Sequence, residues 1–171
     1  QLIMFDPSTL LKKAEQSSFA LMMLNIGLKR MIPFNSPHRF KISEVTPSSI
    51  SITAPYIRRN KNHVNSIHAC ALATLCEYSC GLTLARTFDQ RTYRVILKEL
   101  KVNYQYQAKE YVSATYSLPE GTISAIQKTL STEDAALCTL IVNITDSKGK
   151  AICTGEVTWQ IKPWSKTKTA R

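Results

Sequence analysis

The chain has 171 residues, of which 44% are hydrophobic and 20% charged, with a formal net charge of +10. Those numbers describe one ordinary globular domain with a sizeable core. No apolar run approaches the roughly 18 residues that a membrane span needs. Five Cys without a CxxC pair are poor material for a disulfide framework or a zinc site, so a reduced, cytoplasmic setting with no metal is expected.

In chain order, Asp6-Pro7 is a helix start, with an N-cap acceptor followed by Pro at the first helical position. The helix runs to about Arg30, with Gly27 as a point where it can break. Leu10, Leu11, Ala14, Phe19, Met22, Met23 and Ile26 form an apolar stripe, which is expected to dock on the core. The stretch MIPFNSPHRF carries two Pro and no helical period, and reads as an ordered connector. Residues 1–38 thus form an N-terminal helix and connector, residues 39–162 the main domain, and residues 163–171 a basic tail.

Strand signals follow at Phe40–Val45 and Ser49–Tyr56. In the second, Ile50, Ile52, Ala54 and Tyr56 alternate with polar or smaller residues, so one face is buried. The polar loop IRRNKNHVN then leads into a helix from about Ser66 to Ala85. That helix is apolar or small nearly all round and must therefore be enclosed. Tyr93–Leu97 and Glu99–Tyr106 alternate in opposite phases, which predicts one long strand with a bulge. Lys109–Leu118, Ala135–Thr145 and Ala151–Ile161 are further strands. The last two are joined by Asp146-Ser147-Lys148-Gly149, a hairpin turn in which Gly supplies positive φ. Pro119–Leu130 holds a short helix or a loop.

The expected architecture is α+β: a curled antiparallel sheet of about six strands around one long central helix, with an extra N-terminal helix. In the central stretch NHVNSIHACALATLCEYSCG, Glu77 interrupts an apolar helix and His68 stands at its start, where it suits an N-terminal cap or a place in the core. A buried carboxylate is usually paired, and Arg94 or a Tyr would serve. Asn65 and Ser66 suit helix caps. Cys70, Cys76 and Cys80 have no evident activating base.

This stretch resembles the hotdog-fold acyl-CoA thioesterases. The phenylacetyl-CoA type carries an Asn, a His-Gly-Gly six residues on, and an acid nine residues after the His. Asn62, His68 and Glu77 match that pattern, while Ala69 and Cys70 stand where the family has Gly-Gly. The wider sequence, over residues 31–161, is also similar to a bacterial hotdog family with no assigned activity. The resemblance implies hydrolysis of acyl-CoA or acyl-carrier-protein thioesters, with no cofactor beyond coenzyme A as part of the substrate. Glu77 would be base or nucleophile, Cys70 N–H an oxyanion donor, and Asn62 and His68 positioning groups. Asn65, Ser66, Arg58, Arg59 and Lys61 are candidate substrate contacts, the three cations for coenzyme A phosphates.

Helix geometry constrains that carry-over. Nine residues at about 100° and 1.5 Å each put His68 and Glu77 on opposite sides of one helix, roughly 13 Å apart along it. They cannot meet within one subunit, so a homodimer with composite sites, possibly paired into a tetramer, is expected. A non-catalytic acyl-thioester or fatty-acyl binder is the alternative, favoured by Ala69-Cys70. Hydratase chemistry normally needs a His/Asp arrangement that is missing. Nucleic-acid binding rests on net charge alone and has no motif behind it.

Overall fold

A computed structural model describes residues 7–168. The N-terminal helical region is two helices, α1 (Pro7–Ala14) and α2 (Ser18–Met31). The chain breaks at residues 15–17 and runs unbroken through Gly27, because Ser17 caps α2 with a side chain that accepts from Ala20 N–H at 3.2 Å. A Ser oxygen on an orphan first-turn N–H stabilises a new helix start by about 1 kcal/mol, enough to choose the break point. The expected cap Asp6 lies outside the described residues.

The stripe docks differently from the sequence expectation. Leu11 and Ala14 of α1 are buried, but in α2 it is Ala20, Leu24 and Leu28 that face the core. Phe19, Met22, Met23 and Ile26 point outward. Both faces of α2 are apolar, and periodicity alone does not distinguish them.

The sheet has six antiparallel strands: β1 (Lys41–Val45), β2 (Ser49–Ala54), β3 (Tyr93–Tyr104), β4 (Val112–Ser117), β5 (Ala136–Asp146) and β6 (Ala151–Pro163), in the order β1-β2-β4-β5-β6-β3. The long strand bulges between Leu97 and Glu99, where the alternation changes phase. At the β5–β6 turn Gly149 takes φ +80°, and Asp146 Oδ1 accepts from Lys148 N–H and Lys150 N–H. Residues 119–130 resolve as α4 (Thr122–Thr132) and its lead-in. In β2, Ile50, Ile52 and Ala54 are fully buried, as the alternation requires.

The long helix α3 (Ala69–Thr87) lies in the curl of this sheet. Leu72, Leu75, Cys76, Cys80 and Leu84 meet the inward side chains Val142, Ile144, Val157, Trp159 and Ile161 in one core. Two glycines set the approach distance. A Cβ at Gly155 on β6 would lie 2.7 Å from Cys76 Sγ, and one at Gly81 on α3 would lie 2.9 Å from the Trp159 ring. The Trp159 indole N–H donates to Cys80 Sγ at 3.2 Å, so the ring lies flush on the helix.

α2 closes the outer edge of β1. Asn25 accepts from Ile42 N–H at 2.8 Å and donates to the Ile42 carbonyl at 3.0 Å, which satisfies an edge residue that would otherwise face water. Arg86, near the C-terminal end of α3, pairs with Glu15 between α1 and α2 and donates to the Thr46 carbonyl at 2.6 Å. The N-terminal helices therefore share the core of the main domain.

Gly155→Ala should cost about 1–3 kcal/mol by overpacking against Cys76. Gly149→Ala, with open space at its Cβ, should cost about 1 kcal/mol through its positive φ alone. Urea unfolding of the two variants measures both losses, and an unchanged stability for Gly155→Ala would contradict the close helix–sheet approach.

Candidate active site

The start of α3 is built by two asparagines. Asn60, fully buried, donates through Nδ2 to the His38 and Pro55 carbonyls, both at 2.9 Å. Its Oδ1 lies 2.9 Å from His38 Nδ1, and its carbonyl accepts from His68 N–H at 2.7 Å. The connector, the end of β2 and the helix start thus converge on one amide. Asn62 closes the following loop: its Oδ1 accepts from Val64 and Ser66 N–H, and its Nδ2 donates to Ser66 Oγ. Asn65 takes a left-handed φ of +55° in this loop, and the Tyr56 hydroxyl donates to its carbonyl.

His68 is the N-cap of α3. Its Nδ1 accepts from Cys70 N–H at 3.1 Å. The N–H assigned to an oxyanion is thus engaged by the imidazole, while Ala69 N–H has no partner among the described residues. Of the expected caps the helix uses His68 and not Asn65 or Ser66, because the loop tied by Asn62 delays the helix start to Ala69. A cavity of about 270 Å³ opens here, lined by Asn62, Ser66, Ala69, Leu72, Tyr104 and neighbouring residues. The Tyr104 hydroxyl donates to the Ala69 carbonyl at 3.0 Å.

Arg58 and Arg59 form an exposed single turn just before this loop. Lys61 Nζ lies 4.6 Å over the Tyr56 ring. None of the three lines the cavity at the helix start.

Glu77 lies two turns further along α3, in a second cavity of about 180 Å³. Its neighbours there include Ile32, Tyr78, Gly81, Val95 and Trp159. Burial raises its pKa above the ordinary carboxylate range, because a desolvated carboxylate prefers its proton. Among the described residues no hydrogen bond or ion pair reaches the carboxylate, and Arg94 donates to Gln160 instead. The charge of Glu77 in turn adds to the burial that drives the Tyr78 and Cys80 pKa values upward.

So the structure brings Asn62 and Ser66 together at one cavity, with His68 and Cys70 at the same helix start, and puts Glu77 at another. That is the separation helix geometry demands. Asn60, Trp159 and Gly81 were missed by sequence reasoning. Trp159 carried a signal, the inward phase of the β6 alternation; Asn60 carried none, since nothing in NKNHVN separates it from Asn62.

Residues 22–161 match the domain of unknown function DUF4442. The chain belongs to that family. No curated protein matches it in sequence. Among solved structures it is similar to a Pseudomonas aeruginosa protein of unknown function described as a probable thioesterase, with 22% identity and a TM-score of 0.75 over 83% of this chain and 95% of that one. It is also similar to a mutant of a thioesterase enzyme from Staphylococcus aureus, with 20% identity and TM-score 0.61 over 77% and 99%. A thioesterase family protein from Silicibacter pomeroyi shows 17% identity and TM-score 0.63 over 81% and 96%. At these identities the likeness establishes the fold: this DUF4442 chain has the hotdog architecture, a curled sheet around a central helix.

The sign of the Glu77 effect on stability follows from its raised pKa. The folded state favours the protonated form, so stability is fully present below the unfolded carboxylate value and is lost as pH rises through the folded one. Glu77→Gln should therefore raise stability near neutral pH relative to the parent and leave it unchanged near pH ~4. Thermal unfolding across that range measures this; a lower stability of the variant at neutral pH would show the carboxylate to be paired.

Proposed function

We propose that this DUF4442 protein hydrolyses acyl thioesters of coenzyme A or of acyl-carrier protein, at two equivalent sites in a homodimer. One observation carries the reading: a half-buried carboxylate, Glu77, with no hydrogen-bond or ion-pair partner among the described residues, faces a largely apolar cavity on the central helix of a hotdog fold. A carboxylate with a raised pKa is a stronger base at neutral pH than an exposed one. The solved structures of similar fold that are described as thioesterases support the same reaction class.

The chemistry follows from the groups available. Glu77 takes a proton from water, the resulting hydroxide attacks the thioester carbonyl, and the tetrahedral intermediate collapses with loss of the thiolate. The proton on Glu77 returns to that sulfur. The oxyanion is stabilised by first-turn N–H groups at the start of α3 of the partner subunit, where the helix dipole is positive. Ala69 N–H serves directly; Cys70 N–H joins it once His68 swings away. Asn62 and His68 position the thioester, and the Asn65–Ser66 turn forms the rim of that site. Arg58, Arg59 and Lys61 meet the phosphates of coenzyme A. The tight association of two helices that this requires makes the dimer obligate.

The second reading is a non-catalytic binder of acyl thioesters or fatty-acyl groups. The bond between Cys70 N–H and His68 Nδ1 favours it, together with side chains at residues 69 and 70 where the resembled family has Gly-Gly.

On a panel of acyl-CoA substrates of graded chain length the protein should release free thiol, and Glu77→Gln should lower kcat/KM by about a hundredfold or more. The rate should rise with pH through an acid limb lying above the ordinary carboxylate range. Binding without turnover on every chain length would select the second reading. A monomer by light scattering at micromolar concentration would overturn the composite site.

A further inference from the structure

Helix α2 presents a second apolar face, with exposed cations at its C-terminal end and along the groove beside it. Phe19, Met22, Met23 and Ile26 are 41–67% exposed at the i, i+3, i+4, i+7 spacing of one helical stripe. Met31 and Phe34, at and just beyond the helix end, are exposed as well. The opposite face, Ala20, Leu24 and Leu28, already anchors the helix to the core. Exposure of four large apolar side chains in one stripe exceeds the scattered singles that a monomer surface normally carries.

The charge around this stripe has one sign. Residues 16–43 contain no Asp or Glu, while Lys29, Arg30, Arg39 and Lys41 are all exposed. Phe19, Met22, Ile26 and Lys29 continue a single stripe, so the cation stands at its C-terminal end. Beside it runs a groove of about 450 Å³ between α2 and β1, in which Met22, Ile26 and Phe40 meet Lys29, Arg39 and Lys41. Of the two flanking acids, Glu15 is held by Arg86, and Glu44 lies further along β1.

We propose that this face binds the surface of an anionic phospholipid bilayer. α2 lies in the headgroup plane with Phe19, Met22, Met23 and Ile26 in the acyl boundary, and Lys29, Arg39 and Lys41 meet lipid phosphates. The helix lies on the bilayer rather than crossing it, since no described helix is long and apolar enough to span one. An apolar stripe alone would suit a second copy of the chain equally well. The cations at the end of the stripe and along its groove, with no acid in residues 16–43, favour lipid phosphates, because a second copy of this face would bring no opposite charge to meet them. This inference does not depend on the thioesterase reading.

Co-sedimentation of the full chain with vesicles tests it. Vesicles of phosphatidylcholine with about one third phosphatidylglycerol should carry at least about tenfold more protein than phosphatidylcholine alone. The excess should fall away as salt rises from about 0.1 M to about 1 M and the Debye length shrinks from ~10 to ~3 Å. F19S/M22S/I26S and K29E/R39E/K41E should each abolish it. Phe19→Trp keeps the apolar face intact, and its emission should shift to the blue with anionic vesicles only; this holds the test open if a triple variant fails to fold. Equal partition onto both vesicle types, or unshifted emission from the Phe19→Trp variant, overturns the proposal. So does a fall in light-scattering mass for F19S/M22S/I26S without vesicle binding by the parent, which would make the face a contact between copies.

Discussion

Everything in this molecule depends on burying a helix that has almost no polar face. α3 contributes eleven buried residues, and between Ala71 and Ala85 only the stripe of Ala73, Thr74, Glu77 and Gly81 keeps partial exposure. A flat sheet covers one side of a helix, whereas a curled six-stranded sheet covers most of it. The curl brings backbone and ring so close that Gly155 must face Cys76 and Gly81 must face Trp159. Packing at that distance replaces side-chain volume with dispersion contact along the helix, and it leaves little slack for substitution.

The same enclosure creates the chemistry. A carboxylate on a solvated helix is an ordinary acid, but Glu77 is half-buried against the sheet with no cation among the described residues to balance it. The cost of desolvation raises its pKa, and a group held away from its preferred charge state is the kind that catalytic sites use. What the fold withholds from Glu77 within one chain is an oxyanion donor. The start of α3 is on the opposite side of the helix, pinned by Asn60 and Asn62, and its first-turn N–H groups point elsewhere. A two-fold arrangement would bring the two halves together, which is why the dimer is part of the proposed function.

α2 stands outside this logic. Asn25 fastens it along the edge of β1, and Ala20, Leu24 and Leu28 hold it to the core. Phe19, Met22, Met23 and Ile26 point away from that docking. A chain that needed only to cap a sheet edge would have polar residues there, and the cationic border gives the outward face its own chemical direction.

Much of this was legible from one sequence. Alternation in β2 and β6, the phase change at Leu97/Glu99, the Gly149 turn and the apolar girth of α3 each reflect a local rule: period two, period 3.6, or a positive φ. Glu77 was legible as an anomaly for the same reason, since a charge in an apolar helix violates a local pattern. Asn60, the docked face of α2 and the lack of a partner for Glu77 among the described residues were not legible. Each is decided by residues distant in the chain: His38 and Pro55 for Asn60, β1 for α2, and Gln160 for Arg94. Periodicity reports that a surface is apolar; only the tertiary arrangement decides which of two apolar faces is buried, and which carboxylate is left without a cation.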